Sequence, residues 1–131
     1  MVLKFVFILN FCLLALTISH ASSHHPQEFL RSIEGSKDEG EQIVAHFCSS
    51  CHAAKPIIQL GAPKINVKSD WEPRIKQGLA TLLTHTEEGL NAMPPRGGCF
   101  ECNDKQLYLA ILAMLPEALR ALTLSEIKDH K

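Results

Sequence analysis

Two cysteines and a histidine stand together in the pentapeptide Cys48-Ser49-Ser50-Cys51-His52, and this motif constrains the chain more than any other part of the sequence. The pattern is typical of covalent haem attachment, but it also occurs in redox-active dithiols and as half of a zinc site. A chain of this length can bury only a modest core, so an enclosed apolar cofactor would add considerably to its stability.

The remainder of the sequence favours the haem interpretation. A redox-active dithiol of this kind needs a βαβ setting, and no strand pattern of useful length is present in the sequence. A zinc site needs two more ligands, which Cys99 and Cys102 could supply, but the strands that zinc ribbons use are missing. The sequence therefore predicts an all-α domain that carries one covalent haem c.

The first residues of the chain predict export. Lys4 precedes an almost wholly apolar run over 5–18, and Ser19 and Ala21 are the small residues of a cleavage site. We expect a signal peptide over 1–21, because the apolar run is shorter than the roughly 20 residues that a membrane-spanning helix needs. The mature protein would then be periplasmic. The alternative is an uncleaved membrane anchor.

Four of the five cysteines follow the predicted signal peptide, in two Cys-x-x-Cys pairs. An even number of cysteines in an oxidising compartment is not expected to remain as free thiols. The second pair, Cys99 and Cys102, is followed by Asn103 and not by histidine, so it is not a second haem site. We expect a short disulfide that stabilises the fold by about 2 kcal/mol. A redox-active dithiol is the alternative, although nothing nearby in the sequence would activate a thiolate.

Capping signals mark the starts of two predicted helices. Ser36 with Glu39 fits a capping box, and the helix that follows runs up to the cysteine motif. Asn103 with Gln106 fits a second capping box, and Pro116 stops or kinks the helix that it opens.

A third helix is predicted between these two. Apolar residues at intervals of three and four place it from near Asp70 to Leu83, with Pro73 in its first turn. Proline and glycine predict loops over 53–70 and 89–98.

Length and charge limit the domain organisation and the class of partner. The 131 residues argue for a single domain, and a formal net charge of −1 lacks the basic excess of a nucleic-acid-binding protein. We expect a flexible N-terminal tail over 22–35, the folded domain over 36–115, and a C-terminal helical extension or tail over 116–131.

A haem iron that exchanges electrons without binding a substrate needs a second axial ligand opposite His52. Met93 is the preferred candidate, because it lies in a proline- and glycine-rich loop that could press a thioether onto the iron. Met114 lies in the middle of a predicted helix, where methionine usually fills core space. His85 and His46 are the alternatives, and either would give a bis-histidine haem.

Three further segments carry a resemblance to a known family. They are Gly61-Ala62-Pro63-Lys64-Ile65, Trp71-Glu72-Pro73-Arg74-Ile75 with Gln77-Gly78, and Met93-Pro94-Pro95-Arg96-Gly97-Gly98-Cys99 with Cys102. With the attachment motif, they make the chain resemble the class I cytochromes c, and within these the cytochrome c5 family. The resemblance runs from about Glu39 to Leu115.

The resemblance implies the class I cytochrome c fold and a role for each matching residue. Cys48 and Cys51 would be the thioether cysteines, His52 the proximal iron ligand and Met93 the distal one. The carbonyl of Pro63 would accept a hydrogen bond from His52 and fix its ring. The other matches are Trp71 and Arg74 near the haem propionates, with core packing as the alternative for Trp71, and Gly40 at a close helix crossing near Tyr108.

The resemblance also implies a monohaem one-electron carrier, not an enzyme, with no small-molecule substrate and no nucleic acid. Its partners would be larger redox proteins that dock at the haem edge, on loops that hold Lys55, Lys64, Lys68 and Arg96. We expect a small apolar patch there, made of Ala54, Ile57, Ala62, Ala92, Pro94 and Pro95. The alternatives are a haem enzyme or gas sensor with an open sixth site, and a relay subunit of a membrane complex anchored by an uncleaved N-terminus.

Overall fold

Helices make up the regular structure of the protein. A computed structural model describes residues 25–129, with side chains to residue 124, so the predicted signal peptide over 1–21 lies outside the described residues. The helices are α1 Pro26–Ile33, α2 Glu39–Ile43, α3 Ser49–His52, α4 Lys68–Ile75, α5 Leu79–Glu88, α6 Asp104–Met114 and α7 Glu117–Asp129, with a π turn at Val44–Cys48 and a 3-10 turn at Pro95–Gly98. Residues 25–129 contain no strand beyond one isolated bridge. The predicted all-α fold class is confirmed.

Helix α2 crosses α6 at close range, and Gly40 makes the approach possible. A Cβ atom added at Gly40 would lie 2.5 Å from the carbonyl oxygen of Leu109 and 3.3 Å from the Cβ of Ala113. The close crossing expected at Gly40 is therefore present, one residue along α6 from Tyr108. Ile43 and Ile111 are fully buried in the core beside this crossing.

The predicted capping box at Ser36 and Glu39 is wrong. Helix α2 begins at Glu39 with no side-chain cap. The Glu39 carboxylate, which is only 3% exposed, instead accepts hydrogen bonds from the backbone N–H of Gly35 and from the side-chain amide of Gln106. A buried carboxylate needs such donors, and the two available ones lie outside the first turn of its own helix.

The second predicted capping box is confirmed. The Asn103 side chain accepts from the backbone N–H of Gln106 at 2.9 Å, and the Gln106 side chain accepts from the backbone N–H of Asn103 at 3.0 Å. Helix α6 ends at Met114, two residues before Pro116, as expected for a helix that meets proline.

The single helix predicted from Asp70 to Leu83 is instead two helices, α4 and α5. Helix α4 begins at Lys68, and the break falls at Gly78, whose φ of 88° suits glycine. The apolar residues keep their helical spacing across the break, so periodicity alone could not reveal it.

The prediction of a flexible tail over 22–35 is wrong for most of that segment. Residues Pro26–Ile33 form helix α1, which buries Leu30 and Ile33 against the core. The ring of Phe29 stacks on His46 at a centroid distance of 4.3 Å. These apolar side chains share one face of a short helix, and their burial stabilises it.

The C-terminal extension is helical. Helix α7 buries Leu119 and Thr123. Arg120 donates to the backbone carbonyls of Ala113 and Leu115 and forms an ion pair with Glu41 at 3.6 Å. The extension therefore packs onto the end of α6. Across residues 25–129, none of the helices combines the length and apolar character that a membrane span requires.

Replacement of Gly40 by alanine tests the helix crossing. The new Cβ would meet a backbone oxygen, which cannot rotate away, so the helices must separate. We expect Gly40→Ala to lower the free energy of unfolding by about 2–3 kcal/mol, measured by chemical denaturation of the holoprotein. Thr84→Ala on the exposed side of α5 is the control and should change it by less than about 0.5 kcal/mol. Equal stabilities for the two variants would contradict the crossing.

Candidate functional site

A cavity of about 660 Å³ lies between the helices, with mostly apolar walls. Its volume falls within the roughly 300–1,000 Å³ typical of small-molecule and cofactor sites. Cys48, Cys51, His52 and Met93 all line it, although Met93 comes from a distant loop. The four residues that were predicted for haem attachment and iron ligation thus line the same cavity.

The cysteine motif reaches the cavity through an irregular helical turn. The chain leaves α2 at Ile43, passes through the π turn Val44–Cys48 and continues as α3 to His52. A π turn inserts an extra residue and so rotates the side chains that follow it around the helix axis. Ile43, Cys48 and Cys51 all line the cavity, so the irregular turn keeps these three positions on the side of the chain that faces it.

His52 is held by a hydrogen bond at one ring nitrogen and lies beside an indole ring. Its Nδ1 donates to the carbonyl oxygen of Pro63 at 2.7 Å, and Trp71 lies stacked at a centroid distance of 6.4 Å. The backbone carbonyl of His52 accepts from the N–H of Ile65 at 2.8 Å. The Pro63 contact fixes the ring orientation and the tautomer, which leaves Nε2 as the nitrogen for a metal.

Trp71 and Arg74 both line the cavity, where the sequence placed them near the propionates. The indole N–H of Trp71, however, donates to the carbonyl of Lys64 at 2.8 Å, and the ring is buried. Trp71 therefore contributes packing and anchors the loop before α4. Arg74 donates through Nη1 to the carbonyl of Asp70 and is only partly buried, so its other N–H groups can serve an anionic group.

The loop that carries Met93 is held by short-range hydrogen bonds. Leu90 and Met93 exchange two backbone hydrogen bonds, at 3.1 and 2.9 Å. The 3-10 turn Pro95–Gly98 follows, and a Cβ added at Gly97 would lie 3.4 Å from the Met93 Cε. Gly89 is more tightly confined, because an added Cβ would lie 2.7 Å from the Met93 carbonyl oxygen. The backbone of Met93 is thus closely packed in this loop, and the end of its side chain lies beside Gly97.

The two histidines considered as alternative ligands lie in different places. His85, on α5, is partly buried and lines the cavity. His46 is exposed, stacks on Phe29 and is not among the residues that line the cavity. Met114 also lines it, from α6, and is buried. Besides Met93, His85 and Met114 are therefore the side chains in the cavity that could serve as the second iron ligand.

The thiols of the motif do not resemble an activated dithiol. Burial, together with the nearby Cys51, raises the pKa of the Cys48 thiol to about 11. A thiol with a raised pKa carries little thiolate at neutral pH, whereas redox-active cysteines have lowered pKa values. Cys99 and Cys102 are joined to each other in a disulfide and are buried, so neither is available to complete a zinc site with this pair.

The docking residues named from the sequence differ in whether their charge is paired within the chain. Lys55, Lys64 and Lys68 are exposed, whereas Arg96 forms an ion pair with Asp104 at 3.0 Å. Arg96 also donates to the carbonyl of Cys102. The charge of Arg96 is therefore already paired within the chain, and its expected part in docking stays a prediction.

Three exposed apolar residues at the cavity were missed from the sequence. Ile58, Leu60 and Leu90 line the cavity and are between 46% and 53% exposed. They lie in the same loops as the predicted patch, of which Ala62, Ala92 and Pro94 line the cavity and Ile57 does not. They could have been identified from the sequence as large apolar residues within predicted loops.

Comparison with known proteins agrees with the site. A family model described as "Cytochrome C oxidase, cbb3-type, subunit III" matches residues 35–111, more than half of the chain. Cytochrome c5 from Azotobacter vinelandii is 40% identical over 79 residues, which cover 59% of this chain and 92% of that protein. Cytochrome c5 from Ectopseudomonas mendocina is 39% identical over 85 residues, which cover 63% of this chain and 94% of that protein.

A further relative and a solved structure extend the comparison. Cytochrome c-555 from Prosthecochloris aestuarii is 34% identical over 88 residues, which cover 61% of this chain and 86% of that protein. A chain in the crystal structure of an electron transfer complex of nitrite reductase with cytochrome c is 36% identical, with a TM-score of 0.52. The match covers 58% of this chain and 89% of the other.

The side chains of the cavity fit the cofactor of these relatives. Haem c needs two thiols for thioether bonds and an imidazole nitrogen for the iron, and Cys48, Cys51 and His52 provide them. The apolar walls suit a macrocycle. The chain therefore belongs to the class I cytochromes c, in the cytochrome c5 family, and is a monohaem electron carrier with one covalently bound haem c.

Proposed function

We propose that the chain is an exported carrier of single electrons between larger redox proteins, with its haem iron held between His52 and Met93. One observation carries this proposal: an imidazole fixed by Pro63 and a thioether fixed by a tight loop line the same cavity as both thiols. Methionine as the second ligand raises the reduction potential and fills the sixth position.

The bound haem iron would supply a one-electron couple, and the protein would set the conditions for it. Cys48 and Cys51 would fix the position of the cofactor, and the hydrogen bond from His52 to Pro63 would increase the electron donation of the imidazole. The apolar walls would exclude water, which limits reorganisation when the charge changes. Since Met93 occupies the sixth position, no site stays open for a substrate.

The absence of catalysis is part of the same proposal. A haem enzyme or a gas sensor needs an open or easily displaced sixth ligand. The paired backbone hydrogen bonds between Leu90 and Met93 and the close approach of Gly89 to the Met93 carbonyl oxygen hold the backbone of Met93, and this opposes displacement of its thioether. These contacts favour an electron carrier over both alternatives.

Met93→Ala should leave haem attached and open the sixth position. We expect the methionine-to-iron charge-transfer band of the ferric protein to disappear and the reduction potential to fall. In the wild type, Met93 would compete with imidazole for the iron. If Met93 is bound more than about nine-tenths of the time, its removal should raise the affinity for imidazole more than about tenfold. Absorption titration and potentiometry check this.

Met114→Leu is the matched control for this experiment, because Met114 lines the same cavity and leucine has a similar volume. It should keep the band and the imidazole affinity of the wild type. A band that survives in Met93→Ala would assign the sixth position elsewhere, with Met114 and His85 as the candidates.

The proposed docking face combines an apolar rim with a group of lysines. Ile58, Leu60 and Leu90 surround the cavity mouth, and the exposed side chains of Lys64 and Lys68 come from the loop and helix beside it. A crystal structure in which a similar chain is named in a complex with nitrite reductase supports a redox protein as the kind of partner. The lysines would orient an acidic partner before contact.

Charge reversal at this face should change reaction rates according to the charge of the probe. We expect Lys64→Glu with Lys68→Glu to slow oxidation of the reduced protein by hexacyanoferrate(III) about tenfold at low ionic strength. The same variant should react faster with the cation tris(phenanthroline)cobalt(III). Lys37→Glu, on the connection between α1 and α2, is the control and should have a smaller effect on both rates. Equal effects from both sites would exclude this face.

The proposed location is the periplasm, after removal of residues 1–21. An apolar run preceded by Lys4 and followed by small residues supports it. We expect the mass of the purified holoprotein to correspond to a chain that begins at Ser22 and carries one haem. A protein that keeps Met1 and sediments with membranes would favour the anchored alternative.

A further inference from the structure

Arg96 adopts a backbone conformation that arginine seldom takes. Its φ is 57°, and Gly97 and Gly98 follow with φ values of 61° and 84°. The other non-glycine residues with positive φ in residues 25–129 are Asn66 and Asn91, and asparagine tolerates this region far better. Such a conformation persists only where other contacts hold it.

The guanidinium of Arg96 makes those contacts with the start of α6. Its Nη2 donates to the carbonyl of Cys102 and to Oδ1 of Asp104, the latter at 3.0 Å. Asp104 is the first residue of α6, and Cys102 is tied to Cys99 by the disulfide. A charge-assisted hydrogen bond is stronger than a neutral one, although Asp104 is 72% exposed and solvent weakens the pair.

The segment that Arg96 holds is the one packed against the thioether. The N–H of Gly97 donates to the carbonyl of Pro94 at 3.0 Å, and the N–H of Cys99 donates to the carbonyl of Arg96 at 3.1 Å. Gly97 lies beside the side chain of Met93, because an added Cβ would be in van der Waals contact with the Met93 Cε at 3.4 Å. The turn at Arg96 therefore borders the space that the Met93 side chain occupies.

We propose that Arg96 is a positioning residue that clamps the methionine loop to the start of α6 and so keeps the Met93 thioether in the cavity. This inference rests on the proposed ligation of the iron by Met93. The clamp adds an anchor on the neighbouring helix to the local hydrogen bonds of the loop. It also gives Arg96 a role other than the partner docking expected from the sequence.

The clamp can be broken from either side. Arg96→Asn keeps a residue that accepts positive φ but removes the guanidinium, and Asp104→Asn removes the charge of the acceptor. Lys105→Gln is the control, because it removes one positive charge from the next position of α6 without touching the clamp. The measurement is the rate at which imidazole binds to the ferric holoprotein, which requires Met93 to leave the iron.

We expect imidazole to bind about five- to tenfold faster to Arg96→Asn and about threefold faster to Asp104→Asn, because the first change removes both contacts. The helical circular dichroism should show that both variants remain folded under these conditions. Lys105→Gln should bind at the wild-type rate. Faster binding in Asp104→Asn alone, if Arg96→Asn fails to fold, would still support the clamp.

Three other results would overturn the inference, and they are distinguishable. A wild-type protein without the methionine-to-iron charge-transfer band would refute Met93 ligation, and the clamp with it. A wild type that has the band, with both variants binding imidazole at the wild-type rate, would refute the clamp alone. An equal acceleration in Lys105→Gln would also refute it, since the effect would then be one of general charge.

Discussion

The filling of the central cavity is the constraint on which the rest of the structure depends. The cavity of about 660 Å³ is mostly apolar and is lined by residues of α2 to α6 and of the loops that carry Pro63 and Met93. An apolar group that covers these walls removes them from water and so stabilises the fold. The fold therefore depends on the haem that the cysteines attach, and the helices serve to enclose it.

The start of α6 is the common anchor of two parts that flank the cavity. On one side, Gln106 donates to the buried Glu39 carboxylate, which also accepts from the N–H of Gly35. On the other side, Asp104 and the carbonyl of Cys102 hold Arg96 in the methionine loop. Helix α2, which leads to the cysteine motif, and the loop that carries Met93 are thus fixed to neighbouring residues at the start of α6. These contacts constrain the separation between His52 and Met93.

Local signals allowed part of this structure to be predicted from the sequence. The start of α6 was predictable because Asn103 and Gln106 cap it through contacts three residues apart, and its end because of Pro116. The cysteine motif and the proline-rich loop identified the side chains that meet at the cavity. In each case, the signal came from residues that lie close together in the chain.

The parts that could not be predicted depend on contacts between distant residues or on backbone geometry. Glu39 finds its donors in Gly35 and Gln106, so its pattern with Ser36 was misleading. The π turn between α2 and α3 has no periodic signature, and neither does the break at Gly78, across which the apolar spacing continues. The ion pair between Arg96 and Asp104 was not expected, because no helix or strand spacing relates the two positions.

The central claim is that His52 and Met93 are the two axial ligands of one covalent haem. Near-infrared magnetic circular dichroism of the ferric holoprotein tests it most directly, because the energy of the porphyrin-to-iron charge-transfer transition distinguishes histidine–methionine from bis-histidine ligation. The account predicts a single low-spin species at the histidine–methionine energy. A bis-histidine energy would assign the sixth position to His85, which also lines the cavity, and a high-spin spectrum would indicate an open site. Either result would contradict the account.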